Sequence, residues 1–329
     1  MTTLVTGAFG CIGAWVVRGL LAAGERPVVV VYDLYDLGDD PWRLRMIAGA
    51  DAPDRIVMVR GDITDREHLA RVVREHAIRR VIHLAAWQVP LCRQDPPRGA
   101  AINVVGTANV FDVARAAAGR IDRVVYVSSA AVFGAPGLYP PGPIKDDAPA
   151  HPATHYGVYK VANEETARVY WEEHRIPSSG FRPLTVYRPG RDFGLTADPT
   201  LAMKAAVLGR PFQIRWGGAT DLIYTEDVAR ALLAAADTRL DGARVYNLHG
   251  ASASVAEIVR TIETARPPAA GSITHVEQAL PFPAALADAR YQKDLGPAPA
   301  TTLADGVAKT LDEFERLQKE GRLDSRELT

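Results

Sequence analysis

Short runs of β-branched residues alternate with longer Ala/Leu/Arg-rich stretches whose apolar positions recur with helical period. "TTLVT" leads into a helical stretch from Cys11 to Ala23, and "PVVVVYD" follows. "RIVMVRGD" then precedes Glu67–His76, "RVIHLAA" precedes Arg98–Ala118, and "RVVYVSS" closes the series. The runs "VVVVY" and "IVMV" are apolar on both faces, as strands covered by helices on two sides must be. The pattern predicts an α/β fold built on a Rossmann-type, doubly wound parallel sheet. From Phe133 to Thr154 six prolines and little periodicity predict a long surface loop. A helix from about Tyr156 to Arg175 and a strand "SGFRPLTV" come next. Beyond Arg188 the pattern loosens, with Thr225–Asp237 and Leu303–Gln318 the clearest helices. The division expected is residues 1–190 as the nucleotide-binding domain, 191–320 as a smaller substrate-binding lobe over the carboxyl edge of the sheet, and 321–329 as a frayed polar tail.

Composition narrows the class of molecule. The 329 residues are 47% hydrophobic, with 38 Lys and Arg against 39 Asp and Glu. A net charge of −1 offers no global attraction to nucleic acid or an anionic membrane. Two cysteines cannot make a disulfide framework and show no metal-ligand spacing with the eight histidines. No apolar run reaches the roughly eighteen residues of a membrane span, and no secretory leader is evident. The expectation is a cytoplasmic protein without metal.

Candidate chemistry begins at "TGAFGCIG", where strand gives way to helix. Gly7 would permit the tight turn, Gly10 the approach of a pyrophosphate, and Gly13 the close packing of helix on strand. A strand–helix turn with no partner would use the same glycines. Asp33 follows Gly13 by twenty residues and ends the second strand, where a carboxylate accepts the hydroxyls of an adenosine ribose and repels a 2′-phosphate. That combination favours NAD over NADP. Asp62 in "GDITD" ends the third strand, within reach of an adenine edge. In "HYGVYKVANEE", Tyr156 and Lys160 lie four apart on one helix face. A phenol near pKa 10 is a weak base at neutral pH, and a neighbouring ammonium favours its phenolate. Ser129, after "RVVYVSS", would bring a hydroxyl to the same sheet edge to hold a substrate oxygen, while Ser128 could simply end the strand.

With the glycine turn, Asp33, "HLAA", "VSSAAVFG" and Tyr156-x-x-x-Lys160 in this order, the chain resembles the extended short-chain dehydrogenase/reductases, in particular the NAD-dependent epimerase/dehydratase family, from about Leu4 to Phe314. The resemblance implies tightly held NAD, Tyr156 as general base, Lys160 on the nicotinamide ribose and lowering the tyrosine pKa, and Ser129 on the reacting oxygen. It also implies cofactor contacts from Gly7, Phe9, Gly10, Cys11, Ile12, Gly13, Asp33, Asp62, Ile63, Leu84, Ala85, Ala86, Asn103, Val127 and Pro183. Substrate contacts are expected from Gln88, Ser129, Ala130, Phe133, Thr185 and Arg188, within walls formed by Trp87–Cys92, the proline loop, Thr185–Arg188 and Trp216.

Two departures bear on substrate. Family members acting on nucleotide sugars carry an asparagine after the sixth strand and an arginine before a later "DfiyV" stretch, where this chain has Thr185 and Thr220. Arg188 or Arg191 could compensate, or both could lie on the surface. The dehydratase branch has an Asp-Glu pair after the serine, where this chain has Ala130 and Ala131. The expected activity is hydride transfer between nicotinamide C4 and a secondary or anomeric hydroxyl of a small carbohydrate, sugar acid or polyol. The alternatives are a sugar or nucleotide-sugar epimerase working through a transient ketone, and a non-catalytic NAD sensor. A homodimer is expected through the helices Gly99–Ala118 and Tyr156–Arg175, with Ala114, Val169 and Tyr170 outward.

Overall fold

The computed structural model describes residues 1–23, 29–34, 41–117, 119–194 and 196–328. Pro27, Val28, Ala118 and Thr329, to which predicted elements extend, lie outside them. The strands are β1 (Thr3–Thr6), β2 (Val29–Asp33), β3 (Val57–Arg60), β4 (Arg80–His83), β5 (Arg123–Val127), β6 (Ser178–Arg182), β7 (Thr185–Tyr187), β8 (Phe212–Ile214), β9 (Ala219–Tyr224), β10 (Ala243–Asn247), β11 (Ala251–Ser254) and β12 (Ile273–His275). Seven of them form a sheet in the order β10-β6-β5-β4-β1-β2-β3, parallel at every pairing. The strand order reverses between β1 and β4, the switch point at which open α/β sheets bind ligands.

Both faces of this sheet are covered. Val5, Val29, Val31, Ile82, Val125 and Phe181 join one core with residues of the helices Cys11–Ala22 and Thr225–Asp237. Leu4, Val30, Tyr32, Val81, Val124 and Tyr126 join the other with the helices Arg66–Glu75 and Gly106–Ala116. Adjacent residues of a strand thus enter different cores, as a two-residue side-chain period requires. β3 departs from the expectation: as an edge strand it alternates, and Met58 is 40% exposed.

The strand predicted as "SGFRPLTV" is two strands. Pro183 has no N–H to continue the ladder, and the chain leaves β6 to form β7 in a separate sheet, β11-β9-β7. β10 comes from the later part of the chain yet completes the large sheet beside β6. The Arg98–Ala118 stretch is likewise not uniform. It runs as helix Pro96–Ala100, one turn of π-helix at Ala101–Val105, and helix Gly106–Ala116. The tail is docked rather than frayed: Glu327 pairs with buried Lys204 at 3.2 Å, the Arg322 guanidinium donates to the Arg45 carbonyl, and Leu323 and Leu328 pack against the core.

Candidate active site

The cleft opens at the carboxyl ends of β1, β4 and β5. Its floor is the turn after β1, where Gly7 has φ +71° and a β-carbon would lie 2.5 Å from the Ala85 nitrogen. At Gly13 a β-carbon would lie 2.3 Å from the Gly7 carbonyl oxygen. Both positions are closed to any side chain by backbone. At Gly10 the nearest obstacle is 3.2 Å away, and the residue faces the cleft instead. The helix Cys11–Ala22 starts there with no side-chain cap and no acidic residue in its first turn, so its amide groups and dipole are available to an anion.

Asp33 stands at the end of the adjacent strand. It accepts the Phe9 N–H at 2.9 Å and the Leu34 N–H at 2.8 Å. Burial raises its pKa to about 6, with those two N–H groups and the charge of Arg43 opposing. The Arg43 guanidinium, from the helix Trp42–Ala48, donates to the Phe9 carbonyl at 2.9 Å, a tie between the turn and that helix that sequence reasoning missed. Asp62 lies farther out, accepting the N–H and hydroxyl of Thr64 and pairing with Arg98 at 3.3 Å. Ile63 is buried against Gly106.

The loop after β4 supplies one wall. Leu84, Ala86, Gln88, Val89 and Pro90 line the cleft. His83 beneath them bonds through Nδ1 to the Thr6 hydroxyl at 2.7 Å and through Nε2 to the Thr107 hydroxyl at 3.0 Å. Burial drives its pKa to about 3, so it is a neutral strut. Asn103 is fully buried and sits below the wall. Its amide accepts the Trp87 N–H at 2.8 Å and donates to the Trp87 carbonyl and the Cys92 sulfur. It holds the loop, and Trp87 and Cys92 do not line the cleft.

Opposite lie Val127, Ser129, Ala130 and Ala131 from β5 and its continuation, Tyr156 and Lys160 from the helix His155–His174, and Pro183, Leu184 and Val186. The void they enclose is about 230 Å³. Ser128 also borders it, but its hydroxyl donates to Glu164, which is paired with Arg182 at 2.6 Å. Ser129 instead accepts the Ala131 N–H at 3.1 Å and lines the cleft with Tyr156. The Lys160 ammonium, 5.4 Å from the Tyr156 ring centre, donates to the Val127 carbonyl at 2.7 Å.

Burial raises the Tyr156 phenol to about 12, opposed by the Ser129 hydroxyl and the charge of Arg191. Burial lowers Lys160 to about 8. In this form the phenol is protonated at neutral pH, with the Lys160 ammonium 5.4 Å from its ring centre.

Three expected substrate contacts are not at the cleft. Phe133 is 2% exposed and packed edge-on against Tyr139. Thr185 is fully buried, its hydroxyl bonded to that of Thr220 at 2.7 Å. Arg188 is buried rather than on the surface, its guanidinium over the Trp15 ring and paired with Glu226 and Glu313. Trp216 lies in the core. In their place the cleft receives Arg191, Thr196 and Phe282. Phe282 belongs to an irregular "PFP" segment far along the chain, and only its aromatic character between prolines could have drawn notice.

A family profile described as "NAD dependent epimerase/dehydratase family" matches residues 3–248. The UDP-glucose 4-epimerase of Mycolicibacterium smegmatis is 32% identical over 95% of this chain and 98% of its own. Among solved structures, the GalE-like L-threonine dehydrogenase of Cupriavidus necator superposes with a TM-score of 0.80 at 25% identity, over 95% of this chain and 99% of that one. MoeE5, solved with UDP-glucose and NAD, gives 0.78 at 26% identity, over 97% and 100%. No described helix is long and apolar enough to cross a membrane. The uncapped helix start, the glycine floor open at Gly10 and the carboxylate of Asp33 fit a dinucleotide, and the chain belongs to the NAD-dependent epimerase/dehydratase family of short-chain dehydrogenase/reductase enzymes.

Proposed function

We propose that this enzyme oxidises a secondary or anomeric hydroxyl of a small carbohydrate, sugar acid or polyol, with Tyr156 moving the proton. NAD supplies the hydride acceptor. Gly7, Gly10 and the helix start at Cys11–Gly13 would hold its pyrophosphate, and Asp33 its adenosine ribose. Lys160, held by the Val127 carbonyl, reaches the same cleft beside Tyr156. Ser129 accepts or donates at the reacting oxygen while the phenol, lining the same cleft, gains or releases the proton. The same reading places the enzyme in the cytoplasm as a homodimer. Val105 and Val158, each 49% exposed, lie on the pairing helices, whereas Ala114 is buried and takes no part.

One observation carries the choice of a small substrate. The two positions at which nucleotide-sugar enzymes would hold a diphosphate are occupied by Thr185 and Thr220, bonded to each other and shut away from solvent. A diphosphate at those positions would meet neither an arginine fork nor a free amide. Ala130 and Ala131 supply no acid or base, which argues against dehydration.

A second reading, epimerisation through a transient ketone, draws on the 32% identity to a UDP-glucose 4-epimerase. Incubating the protein with NAD and a panel of free sugars, sugar acids and nucleotide sugars separates them. Stoichiometric NADH supports oxidation, and isomer without net NADH supports epimerisation. Tyr156→Phe should abolish either while leaving NAD binding intact; turnover that survives this substitution overturns the assigned base.

A further inference from the structure

Arg191 is a cleft-lining cation whose partners are neutral. Its Nη1 donates to the Gln88 side-chain oxygen at 3.1 Å and its Nη2 to the Thr196 hydroxyl at 3.2 Å, while its Nε is buried without an acceptor. Among the described residues no carboxylate lies within ion-pair distance of it. Asp192, next in the chain, is committed to Lys204 at 2.9 Å and to Arg43 at 3.6 Å. Arg182 is matched with Glu164, and Arg188 with Glu226 and Glu313, whereas buried Arg123 spends its two terminal nitrogens on the Ser179 hydroxyl and the Leu240 carbonyl, outside the cleft. Burial lowers the pKa of Arg191, while the guanidinium remains charged at any working pH.

A partly buried guanidinium without a counter-ion favours the arrival of an anion. Its planar fork suits a carboxylate or a phosphate. Three features favour the carboxylate. Arg191, Ser129 and Tyr156 line the same cleft, so an anion on the fork shares the space of the reacting hydroxyl. Gln88 and Thr196, which orient the fork, come from the loop after β4 and the segment entering the helix Asp198–Leu208. The positions at which a nucleotide-sugar diphosphate would be held are Thr185 and Thr220, buried and bonded to each other, so no second phosphate contact accompanies the fork.

We infer that Arg191, oriented by Gln88 and Thr196, receives the carboxylate of the substrate, so that the enzyme acts on a hydroxy acid whose carboxylate lies near the hydroxyl oxidised. This rests on the reading of the cleft as a hydride-transfer site, and narrows its substrates to the acids. The anion also provides the charge that Arg191 lacks, so binding of acid relieves the desolvated cation while placing the substrate hydroxyl against Ser129 and Tyr156.

The test measures binding and turnover separately. The NAD-loaded wild type, Arg191→Met and Arg191→Lys are titrated with D-glucuronate against D-glucose, D-galacturonate against D-galactose, and L-threonine against L-threoninol. The expected result is binding of at least one acid tenfold or more tighter than its neutral counterpart, a preference abolished in Arg191→Met and partly kept in Arg191→Lys. Retained NAD binding shows that each variant is folded. Equal binding of acid and neutral probes, an acid preference that survives Arg191→Met, or no binding of any acid overturns the inference. So does loss of NAD affinity with acid preference intact, which would assign Arg191 to the cofactor's pyrophosphate. Neutral sugars oxidised by wild type and Arg191→Met alike would sink the inference and leave the hydride-transfer reading standing. Arg191-dependent acid binding without turnover of any panel member would do the reverse.

Discussion

The hydroxyls of Thr185 and Thr220 bond to each other at 2.7 Å in a site from which solvent is excluded. Each is the other's main partner, so removing one orphans the other. Thr185→Val or Thr220→Val alone should destabilise the protein by about 1–3 kcal/mol, and the double valine variant by less than the sum. Urea denaturation of the four proteins measures the coupling. Additive losses would mean that the two hydroxyls are satisfied independently.

Turnover should depend on pH through Tyr156. With burial holding the phenol near 12, only a small fraction is ionised at neutrality, and oxidation needs the ionised form. The kcat/KM for oxidation should rise with pH from 7 upward, approaching tenfold per pH unit where proton loss from the phenol limits the rate. Reduction of the corresponding ketone, which needs the protonated phenol, should not show this rise. Steady-state profiles in both directions provide the check, and an oxidation rate flat across this range would contradict it.

Asp33 opposes stability in the cofactor-free protein. Its pKa rises from an ordinary carboxylate value to about 6 on folding, so the folded chain binds more protons than the unfolded one between about pH 4 and 6. Its contribution is therefore favourable below pH 4 and is lost as the pH climbs through 6. Asp33→Asn should stabilise the cofactor-free protein at pH 7 by on the order of 2–3 kcal/mol, while weakening NAD binding. Thermal melts with and without NAD show both effects, and a variant less stable than wild type without NAD would refute this account of the site.

Arg188 serves the interior. Its guanidinium lies 3.6 Å from the Trp15 ring centre and 4.4 Å from that of Tyr224, between the carboxylates of Glu226 and Glu313. Arg188→Met removes the nearest cation from both carboxylates, leaving Glu226 to Arg230 at 3.8 Å and Glu313 to Arg316 at 3.7 Å and Arg18 at 4.0 Å, and should cost about 1.5–3 kcal/mol. The folded fraction should keep its KM for substrate, since Arg188 does not border the cleft. A raised KM at unchanged stability would return it to the site.

What could be read from the chain was what a few consecutive residues determine. The glycine turn, Asp33 and the Tyr156–Lys160 pair depend on strand and helix period, and the cleft assembles around them. What could not be read depends on which distant residue arrives as a partner. Arg188 and Arg191 lie three apart in one irregular segment; among the described residues one meets carboxylates from the helices Thr225–Asp237 and Leu303–Lys319, the other only Gln88 and Thr196. No local pattern separates them. The tail looked unstructured because it is polar, but a buried Lys204 needed Glu327. Spacing along a helix carries no information about burial, which raises the Tyr156 phenol and lowers the Lys160 ammonium.

The late arrival of β10 has a consequence for biosynthesis. The glycine turn, the phenol and β6 all leave the ribosome before the strand that pairs with β6 exists; about sixty residues separate Arg182 from Ala243. Until then the growing chain carries a bare, sticky sheet margin. Cutting it near position 190 would not free an intact sheet, because β6 takes its outer neighbour from residues 243–247.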